Sequence, residues 1–196
     1  MANQDAPFGF RQVGGLGSRP TSEGTSKYTI ASGFGDAMYA GDVVEAGAGT
    51  SEGGTAIAAG YVGPAAATSA LRIVGVFNGC LYDDPTTSKP TFKNYWPASV
   101  AAEATAFVYD NPDDLFEVQA TGIIAVTNIC QPMNFAYTEG STINGRSKEE
   151  LGITTTTTLQ TRIVRISGDP SNSDAAAVNA NWIVKFNKHL YYNYAK

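Results

Sequence analysis

The sequence predicts an all-β protein, a single antiparallel β-barrel or sandwich-like domain over residues 28–196 with an extended N-terminal arm over residues 1–27. Three observations favour this fold class. Apolar residues almost nowhere recur at helical spacing, runs of β-branched and aromatic residues are frequent, and clusters of Gly, Asn, Asp and Pro separate those runs. The 196 residues are 43% hydrophobic, which suffices for one domain with a substantial core.

The domain is expected to begin with one strand followed by a loose connection. The stretch YTIAS, at 28–32, combines β-branched and aromatic residues and predicts a strand. Small residues dominate 46–69, so this segment is expected to hold at most one short strand, around Ile57.

A longer strand is expected at 71–83, where LRIVGVFNGCLYD is apolar at nearly every position. Such a run is typical of a strand that is buried on both faces. The Asn78-Gly79 pair within it indicates a bulge or a hairpin turn. After a loop, Tyr95 and Trp96 precede Pro97 and are expected to pack at the rim of the core.

The clearest hairpin in the sequence lies between residues 105 and 121. TAFVYD and LFEVQAT predict two strands, and NPDD between them predicts a turn. Apolar and polar positions alternate along the second strand, which predicts a half-solvated antiparallel strand. The apolar positions are Phe116, Val118 and Ala120, and the polar ones are Glu117 and Gln119.

One short helix is expected near 147–152, because Ser147 and Glu150 have the spacing of a capping box. A long strand of Thr and β-branched residues follows at 154–167. The last strand carries large apolar residues at even spacing from Trp182 onward, so it is expected to dock on the domain.

No catalytic, cofactor or metal site is predicted. The single histidine, His189, is interpreted as a surface strand residue, and neither a nucleophile motif nor a set of zinc ligands accompanies it. Acidic residues gather around the NPDD turn, where local hydrogen bonding explains Asp best, although a calcium site or a carboxylate pair stays open. These residues are Asp110, Asp113, Asp114 and Glu117.

Charge and hydropathy argue against two classes of partner. The formal net charge is −5 and no Lys/Arg cluster occurs, so nucleic acid is not expected as a partner. No stretch approaches the roughly 20 apolar residues that span a bilayer, so no membrane partner is expected. Cys80 and Cys130 are interpreted as two buried thiols, and a disulfide between them is possible but not required.

The stretch DAPFGFR, at 5–11, places two Phe residues and an Arg on the Gly- and Ser-rich arm. It lacks the basic region and the apolar run of a secretory signal. Apolar side chains on such an arm are expected to bury themselves, either on their own domain or on a neighbouring protein.

A series of short motifs runs through the chain. It begins with the opening MANQDAPFGFR and continues at Tyr28–Gly33, Gly41–Val44, Ile73–Tyr82, Asn94–Pro97 and Val108–Gln119, and in the C-terminal WIVKFNKH. In the order of these motifs, the chain resembles virion structural proteins of tailed phages, especially marine and cyanobacterial podovirus-like phages. The chain departs from the pattern at Asn94-Tyr95 and in the QVGGLG that follows the opening.

The resemblance implies a capsid decoration (cement) protein on the outer surface of a phage head. Its implied partner is the major capsid protein, its implied assembly a homo-oligomer, with a trimer favoured, and no enzymatic activity is implied. Phe8, Phe10 and Arg11 would bind the capsid or a neighbouring subunit, with Phe8 and Phe10 on one side of an extended arm and Gly9 allowing close approach. The alternative is that DAPFGFR latches onto its own subunit.

Other functions remain open. A head-fibre or glycan-binding domain would use exposed aromatic residues such as Tyr95, Trp96 and the C-terminal YYNY. A hydrolase would use Asp113 or Glu117. A minor capsid or tail protein would keep the virion location and change only the position on the particle.

Overall fold

The computed structural model describes residues 3–17, 24–47, 49–67, 73–156 and 159–192. These ranges contain fifteen β-strands, one 3₁₀ turn at Val126–Asn128 and no α-helix. In chain order the strands are β1 (Arg11–Gly15), β2 (Ser26–Ile30), β3 (Met38–Tyr39), β4 (Val43–Ala46), β5 (Val62–Pro64), β6 (Ile73–Asp83), β7 (Pro90–Lys93), β8 (Tyr95–Trp96), β9 (Ala104–Tyr109), β10 (Asp114–Gln119), β11 (Pro132–Met133), β12 (Phe135–Ala136), β13 (Glu150–Leu151), β14 (Thr161–Ile166) and β15 (Asn181–Phe186).

Most strands belong to two antiparallel sheets. The first sheet has the order β1-β10-β15-β14-β11, and the second has the order β2-β9-β6-β4-β5. The strand β7 pairs with the C-terminal residues of β6, Cys80–Asp83. Two small pairs, β3 with β8 and β12 with β13, complete the pairing. The all-β class with a sandwich-like arrangement is therefore confirmed, and within the described ranges neither sheet closes into a barrel.

Two apolar cores cover the two faces of the second sheet. The first lies between the sheets and combines side chains of both, including Ile73 and Val76 of β6 with Trp182 and Val184 of β15. The second covers the opposite face of the second sheet and includes Trp96. Burial of such side chains stabilises the fold by roughly 1.5–3 kcal/mol each.

Between Ile73 and Cys80 the long strand β6 is buried on both faces, as its sequence predicts, whereas Leu81 and Asp83 are exposed. Residues 71–72 of the predicted strand lie outside the described ranges. Ile73 and Val76 contact the core between the sheets, while Val74 and Phe77 contact the second core. The pairing of β6 with β9 shifts register between Phe77 and Gly79, so the Asn78-Gly79 pair forms a bulge within a continuous strand.

The predicted hairpin at 105–121 is wrong in its pairing, although both strands exist. β9 pairs with β2 and β6 in the second sheet, whereas β10 pairs with β1 and β15 in the first. Residues 111–113 therefore turn the chain from one sheet to the other. A turn in the sequence marks a change of direction, and it does not determine whether the two flanking strands pair with each other.

The half-solvated face predicted for β10 is also wrong. Phe116 and Val118 point into the core as expected, but Glu117 and Gln119 are buried as well. The N-terminal arm and the loop at 167–181 cover them through hydrogen bonds.

The short helix predicted near 147–152 does not form. Ser147 Oγ accepts the backbone N–H of Glu149 at 3.0 Å instead of capping Glu150, and β13 begins at Glu150. Ser147, Glu149 and Leu151 are buried while Lys148 between them is exposed. This alternation has the period of an extended chain, and it overrides the capping pattern.

Several local predictions need smaller corrections. The short strand expected around Ile57 lies at Val62–Pro64. The strand expected at 154–167 forms only at Thr161–Ile166, and residues 157–158 lie outside the described ranges. Cys80 is buried as predicted, but Cys130 is exposed beside the 3₁₀ turn, and the two thiols are free. His189 is buried instead of lying on a surface strand, because the chain after β15 folds back onto β6.

Candidate functional site

The N-terminal arm is docked on the domain along residues 3–10. The N–H of Ala6 donates to the side-chain amide of Gln119 at 3.0 Å, and that amide donates back to the carbonyl of Gln4 at 2.9 Å. Asn172 makes a second reciprocal pair with the backbone of Gln4, at 3.0 and 2.8 Å. These two side-chain amides hydrogen-bond the backbone of the arm in the way that a neighbouring strand would. They therefore hold a part of the arm that has no strand partner.

Phe10 anchors the end of the arm in the core between the sheets. It is 2% exposed, and its ring centroid lies 5.8 Å from Phe186 and 6.2 Å from Phe135. The N–H of Phe10 donates to the carbonyl of Gly41 at 2.9 Å. Aromatic packing of this kind adds to the gain from burying the ring itself.

Gly9 allows this docking because the chain turns there. Its φ is +74°, and a Cβ at this position would lie 2.4 Å from the Cβ of Ser147. The arm is therefore not extended through Gly9, and the close approach that its sequence predicts is made to its own domain.

Arg11 and Phe8 lie at the surface beside the buried ring of Phe10, and their side chains contact each other. The Arg11 guanidinium pairs with the buried carboxylate of Glu117 and lies 5.0 Å above the centroid of the Phe8 ring. The side chain of Arg11 is 56% exposed, whereas that of Glu117 is 4% exposed. The structure thus places Phe10 inside its own subunit and leaves Phe8 and Arg11 at the surface; a neighbour-binding role for the three residues stays a prediction.

A cleft of about 320 Å³ opens beside the arm. One wall is the arm itself, and the opposite wall combines the bulge of β6, the end of β9 and the loop that ends at Arg146. Its polar side chains are Arg11, Gln12, Asn78, Tyr109 and Arg146. Phe8 supplies accessible apolar surface, whereas the side chains of Phe10, Val76 and Phe77 at its base are buried. We call this space the arm cleft.

Two buried carboxyl groups lie behind the arm. Asp42 and Glu149 are completely buried, and each accepts one backbone N–H, from Tyr39 at 2.7 Å and from Val43 at 2.9 Å. Burial raises the pKa of Asp42 to about 7. Burial and the neighbouring Asp42 raise the pKa of Glu149 well above its usual range.

A second surface feature is an apolar patch formed by residues 121–131 and 152–156, with the Arg162 guanidinium at one edge, where it donates to the carbonyl of Cys130 at 2.6 Å. Its exposed members are Ile123, Val126, Ile129 and Ile153. Thr121 N–H donates to the carbonyl of Leu151 at 3.0 Å, which holds the two segments together. No Asp, Glu, Lys or Arg occurs in either segment. We call this area the neutral patch.

The aromatic residues that a glycan-binding site would use are largely engaged. Trp96 is completely buried, and its indole N–H donates to the carbonyl of Phe34 at 3.2 Å. The hydroxyls of Tyr191 and Tyr192 bond Tyr28 and Asp113 respectively. The remainder of the YYNY stretch lies outside the described residues.

The acidic residues around the NPDD turn do not converge on one site. Asp113 lies at the surface beside Lys185, whereas Glu117 is buried against Arg11 and Ser167. Within the described ranges, no group of three or more His, Cys, Asp or Glu side chains could hold a metal ion. No helix in the same ranges is long and apolar enough to cross a membrane.

The comparisons with protein-family models, with curated proteins and with solved structures find no match for this chain.

Sequence reasoning identified Arg11 but missed Arg146 and Asn78 as cleft residues. Arg146 stands in a polar loop that carries no motif, and Asn78 was recognised only as part of a bulge. The sequence of the neutral patch is distinctive, since GIIAVTNIC at 122–130 is mostly apolar and free of charge. That signal did not distinguish a buried strand from an exposed turn.

Proposed function

We propose that this chain is a virion structural protein that decorates the outer surface of a phage head and links capsid subunits. The neutral patch is the single observation that carries the proposal. Ile123 and Ile153 are 57% and 58% exposed, and no charge lies in either segment of the patch. Contiguous apolar surface of this kind marks sites of protein association.

Self-association through this patch is the first step of the proposal. The chain has a net charge of −5, so like-charged copies repel one another over most of the surface. The two segments of the neutral patch carry no charge, so two copies can meet there without that repulsion and exclude water from their apolar side chains. Closed symmetry around a threefold axis would bury one such surface per subunit.

The docked arm fits the second step, which is attachment to the capsid. Phe10 holds the arm in its own core, while Phe8 and Arg11 remain accessible to the major capsid protein. Each contact is small, but a shell repeats it many times, and linked copies bind more tightly than one copy alone.

Cryo-electron microscopy of purified virions of the encoding phage tests the proposal. We expect density for this chain on the outer shell, at threefold positions. Density only in the tail or at a vertex would keep a virion role but contradict decoration, and absence from the particle would overturn both.

Sedimentation of the purified protein tests the association step separately. Ile123→Asp should shift the oligomer toward the monomer, because it places a charge in the neutral patch. Ile143→Asp is the matched control, since Ile143 is 97% exposed and lies outside the patch. An equal effect of both changes, or a wild-type monomer at all concentrations, would contradict the role of the patch.

A further inference from the structure

We propose that the arm cleft is a carboxylate-binding site that receives an acidic group from an extended segment of a protein partner. The inference rests on the lining of the cleft and holds whether or not the chain decorates a capsid. Four features carry it: the local charge, the free hydrogen-bond donors, the fixed backbone around them and the size of the cleft.

The lining of the cleft is cationic although the chain is acidic overall. Arg11 and Arg146 both line it, and no Asp or Glu does. Glu117 compensates Arg11, whereas Arg146 forms no ion pair with any described residue. One uncompensated guanidinium therefore faces a concave surface, where an anion gains more than it would on a flat one.

Further donors face the same space. Asn78 and Tyr109 line the cleft, and neither side chain hydrogen-bonds to another residue within the described ranges. Gln12 also lines it, with its amide nitrogen held by Asp114 at 2.7 Å. A carboxylate accepts several hydrogen bonds at once, and those from charged donors are the strongest.

The backbone that carries these donors is well fixed. Arg146 N–H donates to Asn144 Oδ1 at 3.0 Å, and its carbonyl accepts the N–H of Ser141 at 2.8 Å. Asn78 lies in the bulge of β6, which is paired on both sides of that point with β9. A site on such elements loses little conformational entropy when it binds.

The lining favours a carboxylate over a phosphate. Only one cationic charge is uncompensated, which matches a monoanion, and a planar guanidinium binds a carboxylate through two parallel hydrogen bonds. Phe8, which is half-buried, adds apolar surface that suits the methylene groups of an acidic residue. The volume of about 320 Å³ also accommodates the backbone beside that residue.

NMR titration of the ¹⁵N-labelled full chain tests this inference at constant ionic strength. The probes are N-acetylglutamate α-amide, which offers a side-chain carboxylate, and N-acetylalanine, which offers a terminal one. N-acetylglutamine α-amide is the neutral control. We expect saturable shifts at Asn78 and Arg146 with at least one carboxylate and none with the control, and the stronger probe identifies the source of the acidic group.

Two variants make the test specific. Arg146→Gln should weaken binding about tenfold, because it removes charge-assisted hydrogen bonds. Lys148→Gln removes an exposed cation that does not line the cleft and should change nothing. The amide spectrum reports whether each variant is folded.

Three outcomes would overturn the inference. These are no saturable shift with either carboxylate, equal weakening by both variants, and tighter binding of inorganic phosphate than of the carboxylates.

Discussion

Asp42 and Glu149 are both completely buried and interact electrostatically behind the N-terminal arm. No described Lys or Arg forms an ion pair with either carboxyl group. One oxygen of each, Asp42 Oδ1 and Glu149 Oε1, also has no hydrogen-bond partner within the described ranges. The fold therefore accommodates the pair best when at least one of the two groups is protonated.

The pair predicts that stability falls as pH rises. Both carboxyls release their protons near pH 4 in the unfolded chain, whereas their pKa values are raised in the folded chain. The folded state thus retains protons that the unfolded state loses. Each retained proton lowers stability by about 1.4 kcal/mol per pH unit, from about pH 4 upward through the raised pKa.

Glu149→Gln should reduce this pH dependence to about half, because Asp42 then titrates alone while the amide oxygen still accepts the N–H of Val43. Urea denaturation between pH 5 and pH 7 measures the slope. Glu139→Gln, at an exposed position, is the control and should keep the wild-type slope. The same slope in wild type and Glu149→Gln would show that the pair does not hold the extra proton.

The sequence predicted the strands well where burial dominates. The run that predicted β6 is apolar because β6 contacts a core on each face between Ile73 and Cys80, where every residue except Asn78 is buried. Pairing was harder, because β9 and β10 are adjacent along the chain but belong to different sheets. The residues of the NPDD turn predict that the chain changes direction, and they do not predict which sheet the next strand joins.

Polar residues caused the remaining errors. Glu117, Gln119 and Glu149 were expected at the surface or in a helix, yet all are buried. Each is buried by partners far along the chain, such as the arm or the loop at 167–181. Long-range hydrogen bonds of this kind leave no periodic signal in the sequence.

The candidate site was predictable only in part. The sequence of DAPFGFR indicated that Phe8, Phe10 and Arg11 act together, and it left open whether they face their own domain. Phe10 docks on its own domain because Gly9 adopts a positive φ and because Phe135 and Phe186 leave space for its ring. Arg146 joins the cleft through tertiary contacts alone.

Phe10→Ala should destabilise the folded chain by about 3–4 kcal/mol, because it leaves a cavity in the core between the sheets. Phe8→Ala should cost less, since the ring of Phe8 is only half-buried and lies beneath Arg11. Urea denaturation of both variants measures the difference. Equal effects would mean that Phe10 does not anchor the arm.

Glu117→Ala should destabilise the protein more than Arg11→Ala. The Glu117 carboxylate accepts hydrogen bonds from Arg11, Ser167 and Asn181, and the last two residues are buried. Its removal leaves the Ser167 hydroxyl without its acceptor and the Asn181 side chain with fewer, since the Asn181 amide nitrogen then donates only to Asp169 among the described residues, at 3.3 Å, so we expect a cost of about 2–3 kcal/mol. Arg11→Ala leaves the Glu117 carboxylate its hydrogen bonds from Ser167 and Asn181, and Arg11 is 56% exposed, so its removal should cost less, about 1–2 kcal/mol.

A double-mutant cycle over Arg11 and Glu117 isolates their interaction. We expect a coupling free energy that is smaller than the cost of Glu117→Ala alone, since Arg11 is one of three donors. A coupling as large as that cost would instead mean that the ion pair accounts for the whole effect.

The two cysteines should react at very different rates with a thiol reagent. Cys130 is exposed, whereas Cys80 is buried in the second core, where its thiol bonds the carbonyl of Tyr95 at 3.5 Å. Burial raises the pKa of Cys80 to about 12, so its reactive thiolate is scarce as well as inaccessible. One thiol per folded chain should react rapidly with Ellman's reagent and the second only in denaturant, while Cys130→Ser should abolish the rapid phase. Rapid reaction of both thiols would show that the second core opens readily, because Cys80 can be modified only through such opening.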